Sequence, residues 1–187
     1  MSDELLDHLL IAKEKFASTE LGLMRYICTI HREFALTQIF LRDAQNCVLQ
    51  DCKNLVKMYS DTVYFARMYA DNESHGLEVI TKEMCDIESY ILSTYNACAK
   101  NATLLAKKAV GVLYGLIHEV SQLQKNVGAC LSQTTTNADI AAFDICYRDA
   151  INDIIQEGNV WFTETLEDIK QCRHIMLPVM LQYAEDQ

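Results

Sequence analysis

The chain is poor in the residues that interrupt helices, with one proline and six glycines among 187 residues. Glycine and proline are the least favourable residues in a helix interior, so their scarcity favours long, continuous helices. Half of the residues are hydrophobic and 22% are charged, which supplies a core and argues against disorder. The composition therefore predicts an all-α fold, and the length suits a single domain.

An excess of positive charge and long apolar runs are also missing. The formal net charge is −10 and the pI is near 4.9, which argues against a nucleic-acid partner. A membrane-spanning helix needs about 18 apolar residues, and no apolar run in the sequence is that long. The N-terminus, Met1-Ser-Asp-Glu-Leu-Leu-Asp7, is acidic and lacks the features of a signal peptide, although a cleaved signal would leave no trace.

Motifs that carry chemistry are absent as well. The sequence has no Cys-x-x-Cys, His-Glu-x-x-His or Glu-x-x-His spacing, and its five histidines are scattered. It also lacks a glycine-rich phosphate loop, a nucleophile elbow and a dinucleotide-binding fingerprint. Active sites usually lie on loops, and this chain has few loop signals. We therefore predict a protein that is not an enzyme and that has no metal site and no cofactor.

What the chain does contain is a seven-residue repeat of apolar side chains. Between Gly76 and Leu131 the repeat shifts by four residues at Ala109, a stutter that locally unwinds a left-handed supercoil. The seam between the two registers carries Thr94, Asn101 and Lys108, where we expect wet or interrupted packing with Asn101 turned inward. The first register is Leu77, Met84, Ile91, Cys98, Leu105 and Val112, and the second is Ala109, Leu116, Leu123 and Cys130.

Similar patterns before and after this stretch complete the predicted fold. The helical segments lie at about 3–70, 76–131 and 139–177, with polar turns at about 71–76 and 132–138. They predict a single domain, an elongated antiparallel bundle of three long helices with heptad-like packing. A break near Ser18 would make the N-terminal piece a fourth helix, Gly158 is a second place for a kink, and Pro178 predicts that the last helix ends or bends at Leu177. The first segment has its core at Leu23, Ile27, Ile30, Phe34, Leu41, Ala44, Val48 and Leu55.

Cysteines are numerous for a chain of this kind. An even number of singly scattered cysteines is typical of a disulfide framework in a secreted protein. Two N-glycosylation sequons agree with secretion, Asn72-Glu-Ser74 and Asn101-Ala-Thr103. The alternative is a cytosolic protein in which the thiols are reduced and act as small buried hydrophobes. The disulfide candidates are Cys28, Cys47, Cys52, Cys85, Cys98, Cys130, Cys146 and Cys172.

Helix hairpins limit which cysteines lie at equal depth. Cys98 and Cys172 lie at nearly equal distances along their helices from the second turn. Cys98 and Cys52 lie at distances from the first turn that agree to within about one helical turn. If the chain instead reverses at Gly158, Cys146 and Cys172 become the matched pair. The connectivity stays open.

Two cysteine-bounded segments resemble a known family. Cys47-Val-Leu-Gln-Asp-Cys52, combined with Cys146-Tyr-Arg-Asp-Ala and Leu166-Glu-Asp-Ile-Lys-Gln-Cys172, resembles the cysteine-bearing helical secreted proteins of insects typified by tsetse EP. Those proteins also carry sequons and a closing helix that runs from cysteine to cysteine. The resemblance implies secretion and implies little about activity.

The function predicted from these features is binding. A secreted, disulfide-stabilised helical bundle would engage a protein partner or a hydrophobic small molecule, and the alternative is a cytosolic helical scaffold with reduced cysteines. Gly111 and Gly115, one turn apart, allow a neighbouring helix to approach closely or a ligand to enter beside Tyr114. Long heptad surfaces also favour pairing with a second copy, so a homodimer is expected in preference to a monomer.

Overall fold

The computed structural model folds the chain into three α-helices, α1 (Asp3–Arg67), α2 (Ser74–Leu131) and α3 (Asn137–Glu185). It describes residues 3–67, 74–131 and 137–185, with side chains placed mainly within 6–61, 82–127 and 141–174. No strand occurs in these ranges, so the prediction of an all-α fold with three helices packed against each other is confirmed. The centres of the two predicted turns, 71–73 and 132–136, lie outside the described residues.

The three helices form two compact units, and every helix contributes to both. Unit 1 consists of Met1–Phe34 and Leu104–Asp168, and unit 2 consists of Ala35–Thr103 and Ile169–Gln187. Within unit 1, α1 and α3 run in the same direction, because residues later in α1 contact residues later in α3. These pairs are His8 with Asp144, Phe16 with Tyr147 and Tyr26 with Asn159.

The α1 helix buries residues at steps of three, four and seven, which places them on one helix face as the apolar repeat predicts. Ser18 and Thr19 do not interrupt it. Their hydroxyls donate to the carbonyl oxygen of Lys15 at 2.9 and 2.8 Å, inside a continuous helix, so α1 has no break there and no separate N-terminal helix. The buried residues are Ala12, Phe16, Thr19, Leu23, Ile27 and Ile30 in unit 1, and Thr37, Leu41 and Ala44 in unit 2.

The α2 helix changes register earlier than the sequence indicates. The buried face passes from Cys98 to Ala102 and then to Ala106, two successive four-residue steps that constitute a stutter. Asn101 is therefore exposed, which is opposite to the inward orientation expected from the heptad count. Beyond Ala106 the buried face includes Ala109 and Leu116 of the predicted second register, whereas Leu123 is half-buried. The other buried residues on this face are Leu113, Val120 and Val127.

Lys108, also on the predicted seam, reaches across to α3. The residue is exposed to solvent, and its ammonium lies over the ring of Trp161, 5.1 Å from the ring centroid. A cation over an indole face is attracted by about 0.5–2 kcal/mol, depending on exposure. This seam position therefore contacts α3 through the half-buried Trp161.

The α3 helix continues through both residues at which an interruption was expected. It is unbroken at Gly158, and it runs past Pro178 to Glu185. Gly158 is buried, and a Cβ placed there would lie 2.6 Å from Cδ2 of Leu23 and 3.5 Å from Cδ1 of Leu116. The missing side chain lets leucines from α1 and α2 approach the α3 backbone, so this glycine serves packing and not a kink.

Thr37 provides a first testable consequence of this core. Its hydroxyl oxygen is buried and has no hydrogen-bond partner among the described residues. Because an unsatisfied buried hydroxyl is destabilising and valine has the same shape, Thr37→Val should raise the free energy of unfolding by about 1 kcal/mol. Urea denaturation followed by circular dichroism measures this.

Thr19→Val is the matched control, because the Thr19 hydroxyl already donates to the carbonyl of Lys15. This variant should show no comparable gain. Equal stability of Thr37→Val and the wild type would contradict the assignment of a desolvation cost to Thr37.

Candidate functional site

An apolar pocket of about 160 Å³ opens between α1 and α3 in unit 1. Gly22 forms its floor, since no atom lies within 4 Å of the position that a Cβ on this residue would occupy. Ile155 closes the pocket from α3 and is 37% exposed. The α1 wall consists of Ser18, Thr19, Leu23 and Tyr26.

Tyr26 is held in place by α3. Its ring stacks on Phe162 with a centroid separation of 4.2 Å and an interplanar angle of 9°. Its hydroxyl lies 3.5 Å from Oδ1 of Asn159, a weak hydrogen bond at best. A stacked aromatic pair of this kind fixes the wall, so the pocket is formed without a ligand.

The lining of the pocket is mainly apolar. The hydroxyl protons of Ser18 and Thr19 are already used by the Lys15 carbonyl. No carboxylate, imidazole, amine or thiol lines the pocket. Its volume suits a single large apolar side chain or a small apolar group, and nothing in its lining would activate a bond.

A further exposed apolar residue precedes the pocket on the same face of α1. Ile11 lies eleven residues before Gly22 and is 52% exposed, and the exposed residues Lys15 and Ser18 lie between them. We call the Gly22 pocket, which is bounded by α1 and α3, the α1/α3 groove.

A second apolar surface lies on the outer face of α1 in unit 1. Leu10, Leu21 and Met24 are 50%, 53% and 40% exposed, and Ala17 and Cys28 are exposed beside them. These five residues recur at steps of three, four and seven, which is a heptad-like stripe without a partner helix among the described residues. Such a stripe suits self-association, and the homodimer stays a prediction.

The predicted ligand site on α2 lies on an open, exposed helix surface. Gly111 and Gly115 are exposed, and no atom lies within 4 Å of a Cβ placed on either of them. Tyr114 is 51% exposed. The three residues share a helix segment but no second element within the described chain closes over them, so a ligand there stays a prediction.

A larger and more polar groove lies between α2 and α3. Its volume is about 400 Å³, and it is lined by Glu119, Gln122, Leu123, Asn126, Ala150, Asp153, Ile154 and Glu157. Its carboxylates are not arranged as metal ligands: no cluster of three or more His, Cys, Asp or Glu side chains that could hold a metal occurs in the described part of the chain.

A buried carboxylate ties α3 to the start of α1. Asp144 Oδ2 lies 2.6 Å from Nδ1 of His8 and 3.5 Å from Nη2 of Arg148. The pKa of Arg148 is raised by a hydrogen bond with Tyr147 and, to a smaller extent, by the charge of Asp144. Asp144 Oδ1 is buried without a described partner. We interpret this cluster as an anchor between helices.

The cysteines divide into two kinds. Cys28 and Cys47 are exposed on α1, whereas Cys98 and Cys172 are buried in unit 2, and none of these four is in a disulfide. The thiol of Cys172 donates to the carbonyl oxygen of Cys98 at 3.7 Å, so the pair matched by depth is adjacent in the structure. The side chains of Cys52, Cys85, Cys130 and Cys146 lie outside the described residues.

The two sequons differ in what the structure describes. Asn101 is exposed, which is the orientation that an N-linked glycan requires, and Thr103 donates to the carbonyl of Ala99 at 2.7 Å. Asn72 lies outside the described residues. Exposure removes the conflict between the heptad count and glycosylation at Asn101, while glycosylation itself stays a prediction.

The groove is the feature that sequence reasoning missed. Gly22 carried a signal, because an isolated glycine in a helix costs about 1 kcal/mol relative to alanine and so indicates a packing or functional reason. Ile155 carried none. Its role depends on the parallel alignment of α1 with α3, which periodicity within one helix does not reveal.

None of the described helices combines the length and the apolar character needed to cross a membrane. A scan against protein-family models found no match, and a search of the curated proteins found no similar sequence.

Proposed function

We propose that the protein is a non-catalytic helical binding protein whose α1/α3 groove takes up an apolar side chain of a partner helix or a hydrophobic small molecule. The supporting observation is the open, apolar pocket above Gly22, held in shape by the stack of Tyr26 on Phe162. A preformed pocket lowers the entropic cost of binding, because its walls are ordered before the ligand arrives.

The lining of the groove favours binding over catalysis. General acid–base or nucleophilic chemistry needs a titratable or activated group within hydrogen-bond reach of the substrate. The pocket offers only the phenol of Tyr26, whose ring is stacked and whose hydroxyl faces Asn159. Binding of an apolar side chain in this pocket requires no such group.

Two cellular settings are compatible with this function. In the first, the protein is secreted, stapled by disulfides and glycosylated at Asn101, as the resemblance to the insect proteins implies. In the second, it is a cytosolic scaffold with reduced thiols. The exposed thiol of Cys28 beside the apolar stripe favours the second setting, whereas the adjacency of Cys98 and Cys172 suits the first.

Filling the pocket tests the proposal. Gly22→Leu places a side chain where no atom now lies. We expect the affinity for benzene, an apolar probe that suits a pocket of about 160 Å³, to fall at least about tenfold, a loss of about 1.4 kcal/mol. Titration of methyl-labelled protein should shift the methyl resonances of Ile155 in the wild type and leave them unchanged in the variant.

Gly111→Leu is the matched control, since Gly111 is also helical and open to solvent but lies outside the groove. Both substitutions raise helix propensity, so neither should unfold the protein. The proposal fails if Gly22→Leu binds the probe as the wild type does, or if the probe never shifts the Ile155 methyl groups.

A further inference from the structure

Two buried cysteines lie on neighbouring helices in unit 2, and their contact runs from the thiol of one to the backbone of the other. Cys98 on α2 and Cys172 on α3 are 8% and 3% exposed, and the Cys172 thiol donates to the backbone carbonyl of Cys98 at 3.7 Å. A side chain on one helix that reaches the backbone of the next requires a close approach of the two helices. Ala102, the next buried residue on α2, is small enough to permit that approach.

We propose that Cys98 and Cys172 form a disulfide between α2 and α3 when the chain folds in an oxidising medium. Disulfides require Cα atoms about 4.4–6.8 Å apart. No two described cysteines are bonded in the structure, so closure requires a local adjustment of α2 and α3 around this pair. This inference is independent of the groove, because the groove lies in unit 1 and the dithiol lies in unit 2.

The exposed cysteines cannot substitute for this pair. Cys28 and Cys47 lie nineteen residues apart on the continuous helix α1, which separates them by about 28 Å along the helix axis. No disulfide spans that distance. The same two residues are therefore a built-in control for nonspecific oxidation.

The environment of Cys98 sets the rate of closure. Burial raises the pKa of its thiol, and the hydrogen bond from Cys172 opposes this effect in part. The thiolate is the attacking species, so a raised pKa slows reaction in the folded state. We expect the bond to form readily during folding in an oxidising medium and slowly in the folded, reduced protein.

The reaction balances with a small disulfide such as oxidised glutathione as oxidant. One protein thiolate attacks a glutathione sulfur, forms a mixed disulfide and releases one reduced glutathione. The second protein thiolate then attacks the protein sulfur of the mixed disulfide and releases the second reduced glutathione. The protein loses two hydrogens and one oxidant molecule becomes two thiols.

Closure would create a covalent loop from residue 98 to residue 172 that contains the end of α2 and most of α3. Such a loop restricts the unfolded chain strongly, and stabilisation grows with loop length. We expect the melting temperature of the oxidised protein to exceed that of the reduced protein by about 10 °C.

The test is refolding of the full chain by dilution into a buffer of oxidised and reduced glutathione, followed by alkylation and digestion with trypsin and a glutamate-specific protease. Cleavage after Glu88, Lys100, Lys170 and Arg173 isolates Cys98 on residues 89–100 and Cys172 on residues 171–173. We expect these two peptides to be linked to each other and to separate upon reduction.

A simplified variant keeps the result interpretable whatever the other cysteines do. A chain that retains only Cys98 and Cys172, with serine at the other six positions, should lose two hydrogens in intact mass. A chain that retains only Cys28 and Cys47 should lose none within the monomer. The inference is wrong if Cys98 and Cys172 stay alkylatable after refolding in the glutathione buffer, or if Cys98 links to Cys52 instead.

Discussion

Replacing Gly158 with leucine should lower the free energy of unfolding by about 2 kcal/mol, because the space beside this glycine is already occupied. A bare Cβ would lie 2.6 Å from Leu23, 3.5 Å from Leu116 and 3.8 Å from Leu113, and all three leucines are buried. Alanine should be tolerated much better, since its single carbon meets only the end of the Leu23 side chain, which can rotate. Denaturant unfolding of both variants measures the difference.

Two controls separate overpacking from an intrinsic effect of leucine. Gly111→Leu on the exposed face of α2 should stabilise by about 0.8 kcal/mol, the ordinary gain in helix propensity. Combining Gly158→Leu with Leu23→Ala should recover part of the loss, because the two sites share one volume. A Gly158→Leu variant as stable as Gly111→Leu would show that α3 is not packed closely against Leu23.

Truncation of Leu41 to alanine should lower the free energy of unfolding by about 3 kcal/mol. Leu41 is fully buried on α1 in unit 2, so truncation removes its transfer free energy and leaves a cavity. The measurement is urea denaturation monitored by circular dichroism, which follows all three helices.

Leu36→Ala is its control, on the same helix and in the same unit. Leu36 is 45% exposed, and its truncation should cost about 1 kcal/mol or less. Equal losses from the two variants would mean that α1 does not present the Leu41 face to the core of unit 2.

Much of the helical framework followed from periodicity. The apolar repeat predicted the burial of Leu23, Ile27, Ile30, Leu41 and Ala44, because residues three and four apart share a helix face whichever partner covers it. Thr37 occupies the same buried face although it is polar, and only tertiary packing explains why its hydroxyl has no described partner.

The register of α2 was harder to predict. Between Cys98 and Ala109 both the heptad and the shifted pattern offer apolar residues, so sequence alone does not fix where one replaces the other. The structure uses Ala102 and Ala106, whose small side chains carry little signal of burial. Asn101 is exposed as a direct result of this choice.

The glycines show most clearly what sequence patterns lack. Gly111 and Gly115 have the spacing typical of close helix contact yet face open space, whereas Gly158 was interpreted as a kink and is the site of that contact. Spacing within a helix does not specify which face meets a neighbour. The Gly22 groove depends on the same information, since it needs α1 and α3 side by side.

Tryptophan fluorescence of this chain reports on unit 1 alone. It is the only tryptophan, and it lies in unit 1 beneath the ammonium of Lys108. Its emission therefore reports the local α2–α3 contact of unit 1, while the Cys98–Cys172 pair and Leu41 belong to unit 2, which this fluorophore does not monitor.

Following urea denaturation by tryptophan fluorescence and by circular dichroism would reveal whether the two units unfold together. Coincident curves would mean that the continuous helices couple the units into one cooperative transition, and separated curves would assign a distinct stability to each.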